Sequence, residues 1–235
     1  MSQYDLSIIV PVKNETHTIF PFVKYLNLFL NLKKEIIFVI DNENDTSLKF
    51  IKNSQKTFDN IVFFINNKEG PKNAVNFATS KIRSNIFCIM CVDEIIPLMS
   101  LEKMFNKISI ENFDFVSATR YKNGGKRYGG STSGKLFSYL ANYFFNIIKP
   151  TKLSDLTTGI KMMKKKVWES VSLESKGKSW AFAFELSLKV LKNKFKVSEE
   201  AIISVDRIYG GNSNFYFFYY FIEYLKWFFW GLRNV

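Results

Sequence analysis

Short apolar runs recur through the first half of the chain, and each stops on a polar or acidic residue. Ser7–Val12 runs into Asn14 and Glu15, Ile36–Ile40 into Asp41, and Ile86–Val92 into Asp93. Runs this brief and continuous suit strands covered on both faces of a sheet. Segments with helical spacing separate them: Thr16–Leu32, Asp45–Ser54 with Asp45 as N-cap, Gly70–Ile82 with Pro71 at its start, and Leu98–Ile108. Strands at Glu35–Ile40, Ile61–Ile65 and Phe113–Thr119 complete the alternation. The pattern predicts βαβ units and an α/β, Rossmann-like fold, with a mostly parallel central sheet and helices on both faces. In such sheets ligands bind beyond the carboxyl ends of the strands. The polar residues there are the first candidates for function.

After Arg120 the pattern changes. Tyr121–Ser133 is rich in Gly, Ser and Lys and predicts a mobile loop. A helix at Lys135–Ile148, a strand at Gly159–Met163, a helix at Trp180–Leu191 and a strand at Phe195–Val205 follow, then a loop at Asp206–Asn214. With no repeat and no linker, 1–214 reads as one domain: a nucleotide-binding half, 1–119, and a second half, 120–214. The tail at 215–235 stands apart. Phe, Tyr and Trp fill 12 of the 18 positions in Phe215–Leu232, and Glu223 and Lys226 are its only charges. Those charges and the tyrosines argue against a span, and the sequence predicts an aromatic amphipathic helix lying on a membrane surface. Packing on the domain or on a second subunit, as in a homo-oligomer, is the alternative.

Charge sharpens this picture. The net charge of +12 sits entirely in the second half: residues 1–119 hold 13 basic and 13 acidic side chains, and 120–235 hold 20 and 8. The second half therefore expects something anionic, such as a pyrophosphate, a lipid phosphate or a membrane. Nucleic acid is set aside, because no recognition helix, zinc finger or RNA-binding motif is present. Ser7–Val12 is too short for the apolar core of a signal peptide. Cys88 and Cys91 have CxxC spacing, but strand alternation places them on opposite faces as buried, reduced thiols.

The fragments SIIVPVKNE, IIFVIDNENDTS, GPKNAVNFA, CVDEIIP and TRYKNGG occur in this order, followed by SDLTTGIKMMKKKV, a Glu in FAFELSL, and VDRIYGGNSN. Together they resemble family-two glycosyltransferases of the glycosyltransferase-A fold, most of all the dolichol-phosphate and polyprenyl-phosphate mannosyltransferase branch. The resemblance runs over about 5–214. It implies a nucleotide-sugar site made by Pro11, Lys13, Glu15, Val39, Asp41, Cys91, Val92, Asp93, Arg120, Arg207 and Ser213. Lys13 stands where the branch usually has tyrosine, and Ile40 where it has a first acid before Asp41. The family's DxD motif reads Cys91-Val92-Asp93 here, which leaves Asp93 to hold Mg²⁺ or Mn²⁺ on the diphosphate. Mg²⁺ keeps several waters and often takes only one or two carboxylates together with substrate phosphates. Glu94, adjacent in the expected strand, would point the other way.

By the same resemblance, Asp93, Glu185 and Asp155 are the catalytic candidates, and Asp155 belongs to the acceptor side. Glu185 serves either as a base or as a structural anchor of its helix. Ser213 or Asn214 falls where the family carries a lysine after Arg207. The implied activity is an inverting hexosyltransferase that uses a GDP- or UDP-sugar. Its acceptor would be a polyprenyl phosphate or another lipid-linked group at the cytoplasmic face of a membrane. The alternative, motivated by Cys91 and Ile40, is a catalytically impaired relative that binds nucleotide or a partner.

Overall fold

The computed structural model describes residues 2–122, 124–205, 208 and 217–235, with side chains of the last helix from Tyr220 onward. The first half alternates as expected: β1 (Leu6–Pro11), α1 (Ile19–Phe29), β2 (Lys34–Ile40), α2 (Ser47–Gln55), β3 (Ile61–Ile65), α3 (Pro71–Thr79) and β4 (Ile86–Ile89). A 3-10 turn at Ile96–Ser100 leads into α4 (Leu101–Ser109) and β5 (Phe115–Thr119). Then come β6 (Lys126–Tyr128), α5 (Thr132–Ile148), β7 (Lys161–Lys164), α6 (Lys165–Glu169), α7 (Ala181–Lys192), β8 (Val197–Ala201), β9 (Ile203–Val205) and α8 (Phe217–Asn234).

Seven strands form one sheet in the order β3-β2-β1-β4-β7-β5-β8. All neighbours run parallel except β7, which is antiparallel to both β4 and β5. Strand alternation divides the core. Ile8, Val10, Ile36 and Phe38 face the side covered by α1, α2 and α4, while Ile9, Ile37 and Val39 face α3 and α7. The chain places β2 on one side of β1 and β4 on the other, so the strand order reverses at β1. A crevice opens at such a reversal, outside the carboxyl ends of the two strands.

Three boundaries differ from the sequence pattern. β4 ends at Ile89, although Met90 and Val92 stay buried. The chain turns out of the sheet while still inside the core, so apolarity continues past the strand. Phe195–Val205 divides into β8 and β9, and β9 pairs in parallel with β6. The stretch expected as a mobile loop therefore contains a strand, and α5 begins within it at Thr132. Asp45 precedes Thr46, the N-cap of α2. Its carboxylate accepts the Ser47 N–H at 2.8 Å and the Asn14 N–H at 3.0 Å. It thereby ties the first turn of α2 to the turn after β1, where Asn14 takes a φ of 55°.

The C-terminal helix packs on the domain. α8 lies against α7 and α5, and Trp227 is fully buried between them. Gly231 permits the close approach, since a Cβ there would sit 2.7 Å from the Phe145 ring and 2.8 Å from Leu188. On this face the alternative of packing on the domain holds, because indole burial favours docking. Among the described residues, no helix is long and apolar enough to cross a membrane. Removing the Trp227 side chain deletes one of the largest fully buried groups. Trp227→Ala is expected to lower the unfolding free energy by about 3 kcal/mol or more in urea titration. A loss below about 1 kcal/mol would contradict the docked position of α8.

Candidate active site

The carboxyl ends of β1, β2 and β4 open into a cavity of about 820 Å³. Pro11, Lys13, Glu15, Val39, Asp41, Cys91, Val92, Asp93 and Arg120 all line it. Residues from four separate strand ends thus meet in one place, as the sequence pattern required. Arg207 and Ser213 lie outside the described residues.

Asp41 is nearly buried at the end of β2. Its Oδ1 accepts the Gly70 N–H at 3.1 Å, and the Lys13 ammonium stands 3.7 Å from Oδ2. Burial still outweighs both, so its pKa is held above the usual carboxylate value. Gly70 takes a φ of +101° directly before Pro71, the first residue of α3. A Cβ there would collide with the backbone of Gly177 and Lys178. Glycine is required at this point for both reasons.

Arg120 leaves the end of β5 and is gripped by Asp155. The guanidinium donates from Nε to Oδ2 at 2.7 Å and from Nη2 to Oδ1 at 3.0 Å. Asp155 is wholly buried and also accepts the N–H groups of Thr157 and Thr158 at 3.2 and 3.1 Å. Burial alone would raise its pKa, but the Arg120 charge and these bonds hold it below the usual range. Burial likewise opposes the Arg120 charge, and Asp155 more than offsets this. The Nη2 group reaches Ser138 Oγ and Thr157 Oγ1 as well, at 3.3 and 3.2 Å. Asp155 is absent from the cavity wall. The expectation of a catalytic acid is corrected: the carboxylate is consumed in positioning Arg120.

Of the two roles open to Glu185, the structure supports that of an anchor. It is fully buried on α7 and absent from the cavity wall. Its two oxygens accept the N–H groups of Glu174 and Ser175 at 2.6 and 2.8 Å, and Lys189 one turn on pairs with it at 2.8 Å. It anchors the segment before α7, which leaves no lone pair aimed at a substrate.

Because β4 ends early, the turn after it carries Cys91, Asp93 and Glu94 into the cavity together. Strand alternation never reaches these residues. That moves Cys91 from a buried strand position to a half-buried one in the wall, where the family resemblance also placed it, and overturns the outward placing of Glu94. Glu94 Oε1 accepts the Ser204 hydroxyl at 2.6 Å. Burial pushes the Cys91 thiol well above its ordinary pKa, and the charges of Asp93, Glu94 and Glu15 add to the shift. Cys91 is therefore a neutral thiol at physiological pH, unsuited to a hard cation. Among the described residues, no group of three or more His, Cys, Asp or Glu side chains is arranged to hold a metal ion. An ion here fits only if substrate phosphates and water complete its shell around Asp93, which is how Mg²⁺ is commonly held.

Sequence reasoning missed Glu69, Arg127 and Trp180 in the wall. Gly159 is the one local signal for Trp180, since a Cβ there would lie 2.8 Å from the indole and 3.6 Å from Cys91 Sγ. It also missed the far end of the cavity. Phe137, Leu140 and Phe144 of α5 face Tyr224, Phe228 and Phe229 of α8 there, continuous with the polar end.

A model of glycosyl transferase family 2 matches residues 7–171. Among solved structures, glucosyl-3-phosphoglycerate synthase from Mycobacterium tuberculosis, in complex with Mn²⁺, UDP-glucose and phosphoglyceric acid, superposes with a TM-score of 0.72 at 11% identity. That match covers 99% of this chain and 81% of the other. The mannosyltransferase PcManGT from Pyrobaculum calidifontis, in complex with GDP-mannose and Mn²⁺, superposes with a TM-score of 0.69 at 13% identity, over 99% of this chain and 65% of the other. At these identities the superpositions speak for the fold.

Behind the Arg120–Asp155 pair lies Lys161, fully buried, donating to Ser117 Oγ at 3.1 Å and to the Leu156 carbonyl at 3.3 Å. Burial lowers its pKa from 10.5 to about 7, with Asp155 opposing and Arg120 adding to the shift. Between these two values the unfolded chain binds more protons than the folded one, so stability rises with pH across that window. The urea midpoint is expected to gain less from pH 7 to pH 9 in Lys161→Met than in the wild type. Identical pH dependence in the two proteins would contradict the burial of a titrating lysine.

Proposed function

The chain belongs to glycosyl transferase family 2, and on that premise we propose that it is an inverting hexosyltransferase acting on a lipid-linked phosphate. The donor is a nucleotide-diphosphate sugar with a GDP or UDP leaving group. One observation carries the reading: a single cavity joins carboxylates and an arginine at the strand ends to an aromatic channel between α5 and α8. A nucleotide-sugar fits the polar end. An isoprenoid or similar chain fits the other, with its phosphate near the junction. The mannosyltransferase branch suggested by the sequence motifs shares this acceptor class.

In this reading the nucleoside rests against Pro11, Glu15, Val39 and Asp41. Asp93 would hold a divalent cation, Mg²⁺ or Mn²⁺, together with the diphosphate. Bound there, the ion supplies neutralisation of the leaving diphosphate. An acceptor phosphate oxygen attacks the anomeric carbon as the bond to the diphosphate oxygen breaks. Arg120 meets the negative charge that gathers on the departing diphosphate, and Asp155 has already oriented it. A phosphate acceptor is an anion before it arrives, so no strong base is needed. The engagement of Glu185 with backbone N–H groups agrees with that.

The neutral Cys91 favours one second reading, a relative with weakened catalysis. Both readings meet in a donor screen. Purified protein is mixed with GDP- and UDP-sugars, Mn²⁺ and a short polyprenyl phosphate, and glycolipid is read by mass spectrometry. The proposed enzyme forms product, and Asp93→Ala lowers the rate about 100-fold or more. Product from Asp93→Ala at the wild-type rate would remove Asp93 from the mechanism. Poor wild-type turnover with a large gain in Cys91→Asp would establish the weakened relative instead.

A further inference from the structure

α5 and α8 meet along the apolar mouth of the cavity. Phe137 packs on Phe221 and Phe145 on Phe228, with ring centroids 5.6 and 5.7 Å apart. α5 buries Asn142 and Phe145 and turns Leu136, Tyr139, Tyr143, Ile147 and Ile148 outward. Helical spacing puts Leu136, Tyr139, Tyr143 and Ile147 on one stripe, with Ile148 beside Phe137 and Phe144 at its edge. α8 buries Trp227 and turns Ile222, Leu225 and Phe229 outward, with Ile222 78% exposed. Phe137, Phe144, Leu225 and Phe229 are at once exposed and part of the cavity wall. The channel therefore opens onto this face. Ten large apolar side chains on two adjoining helices make a patch, and patches of this kind mark interaction sites.

The charges around the patch indicate what covers it. From Gly129 to Ser154 the chain carries Lys135, Lys149 and Lys152 and no acid. α8 adds exposed Lys226 and Arg233, and its sole acid, Glu223, accepts the Lys176 N–H. Glu174 is an acid that the Lys226 charge reaches, and a symmetric contact with a second copy would bring the remaining cations of the face against themselves. Anionic headgroups answer them directly. Aromatics that carry both apolar and polar ends suit the same layer.

We propose that the α5–α8 face docks onto an anionic lipid bilayer, with the mouth of the cavity opening toward the acyl chains. The orientation of the mouth rests on the proposed lipid acceptor, whereas docking itself does not. α5 is the principal contact. α8 spends one side on the domain and presents the other to lipid. The bilayer is thus met by a rigid two-helix surface fixed to the catalytic core, and an acceptor in the membrane would reach the cavity without leaving the apolar layer.

The test uses the full chain and vesicles with neither sugar donor nor acceptor lipid. Vesicles of phosphatidylcholine alone are compared with vesicles containing about 30 mol% phosphatidylglycerol. Expected are co-sedimentation about tenfold or more stronger on the anionic vesicles, and weakening as salt rises. Ile147→Glu with Ile148→Glu lies outside the cavity wall. It is expected to reduce binding about tenfold or more while melting temperature and nucleoside-diphosphate binding stay at wild-type values. If that variant does not fold, Lys152→Glu with Lys226→Glu tests the same face through charge alone. Absence of vesicle binding by the wild type overturns the proposal. So does equal binding by the variants, or a wild-type dimer in sedimentation equilibrium that these substitutions dissociate. Vesicle binding without sugar transfer would instead refute the proposed reaction and leave the docking face standing.

Discussion

The fork between Arg120 and Asp155 holds the site together. A guanidinium whose side chain is only 11% exposed sits at the wall of a cavity, and a carboxylate with no exposure at all holds it there. Neither charge is tolerable alone at such depth. Removing one partner of a buried pair typically costs about 3–5 kcal/mol, because the other is left uncompensated. The pair also joins two parts of the chain 35 residues apart, the end of β5 and the loop before β7. Ser138 of α5 is drawn in through its hydroxyl. The same contact that fixes the arginine for chemistry thus fixes α5 against the sheet, and α5 forms one wall of the apolar channel.

Topology explains why the two chemistries adjoin. The reversal of strand order at β1 places Lys13, Asp41 and Asp93 around one crevice. The antiparallel β7 then extends the sheet toward β5, whose end delivers Arg120 to the far side of that crevice. Of the helices after β5, α8 stacks on α7 and α5 packs against α8. Their aromatic sides become the outer half of the cavity. A polar half and an apolar half in one volume are what the proposed transfer from a water-soluble donor to a lipid acceptor would use.

Much of the fold was legible in the sequence, for identifiable reasons. β1, β2 and β3 are continuous apolar runs bounded by polar residues, and their limits were found to within a residue or two. The end of β4 was hidden because Met90 and Val92 remain buried after leaving the sheet. Periodicity reports burial rather than hydrogen bonding, so the reach of Glu94 into the cavity went unseen. Positions at the strand ends were found because apolar runs point to them. Partnerships were not found: nothing near Asp155 in sequence names Arg120, and nothing near Glu185 names the N–H groups of Glu174 and Ser175. Two of the acids that read as catalytic, Asp155 and Glu185, proved to be fully buried and engaged in structure. The aromatic tail was legible as an amphipathic helix, but the docking of Trp227 depends on space left by Gly231, which composition does not report.

The account is tested most directly by diffraction from crystals soaked with a nucleoside diphosphate and Mn²⁺, using the anomalous signal of the metal. It predicts manganese beside the Asp93 carboxylate, with the diphosphate between that ion and the Arg120 guanidinium and the Asp155 fork intact. Manganese bound elsewhere, or Asp93 turned away from an ordered diphosphate, would contradict it.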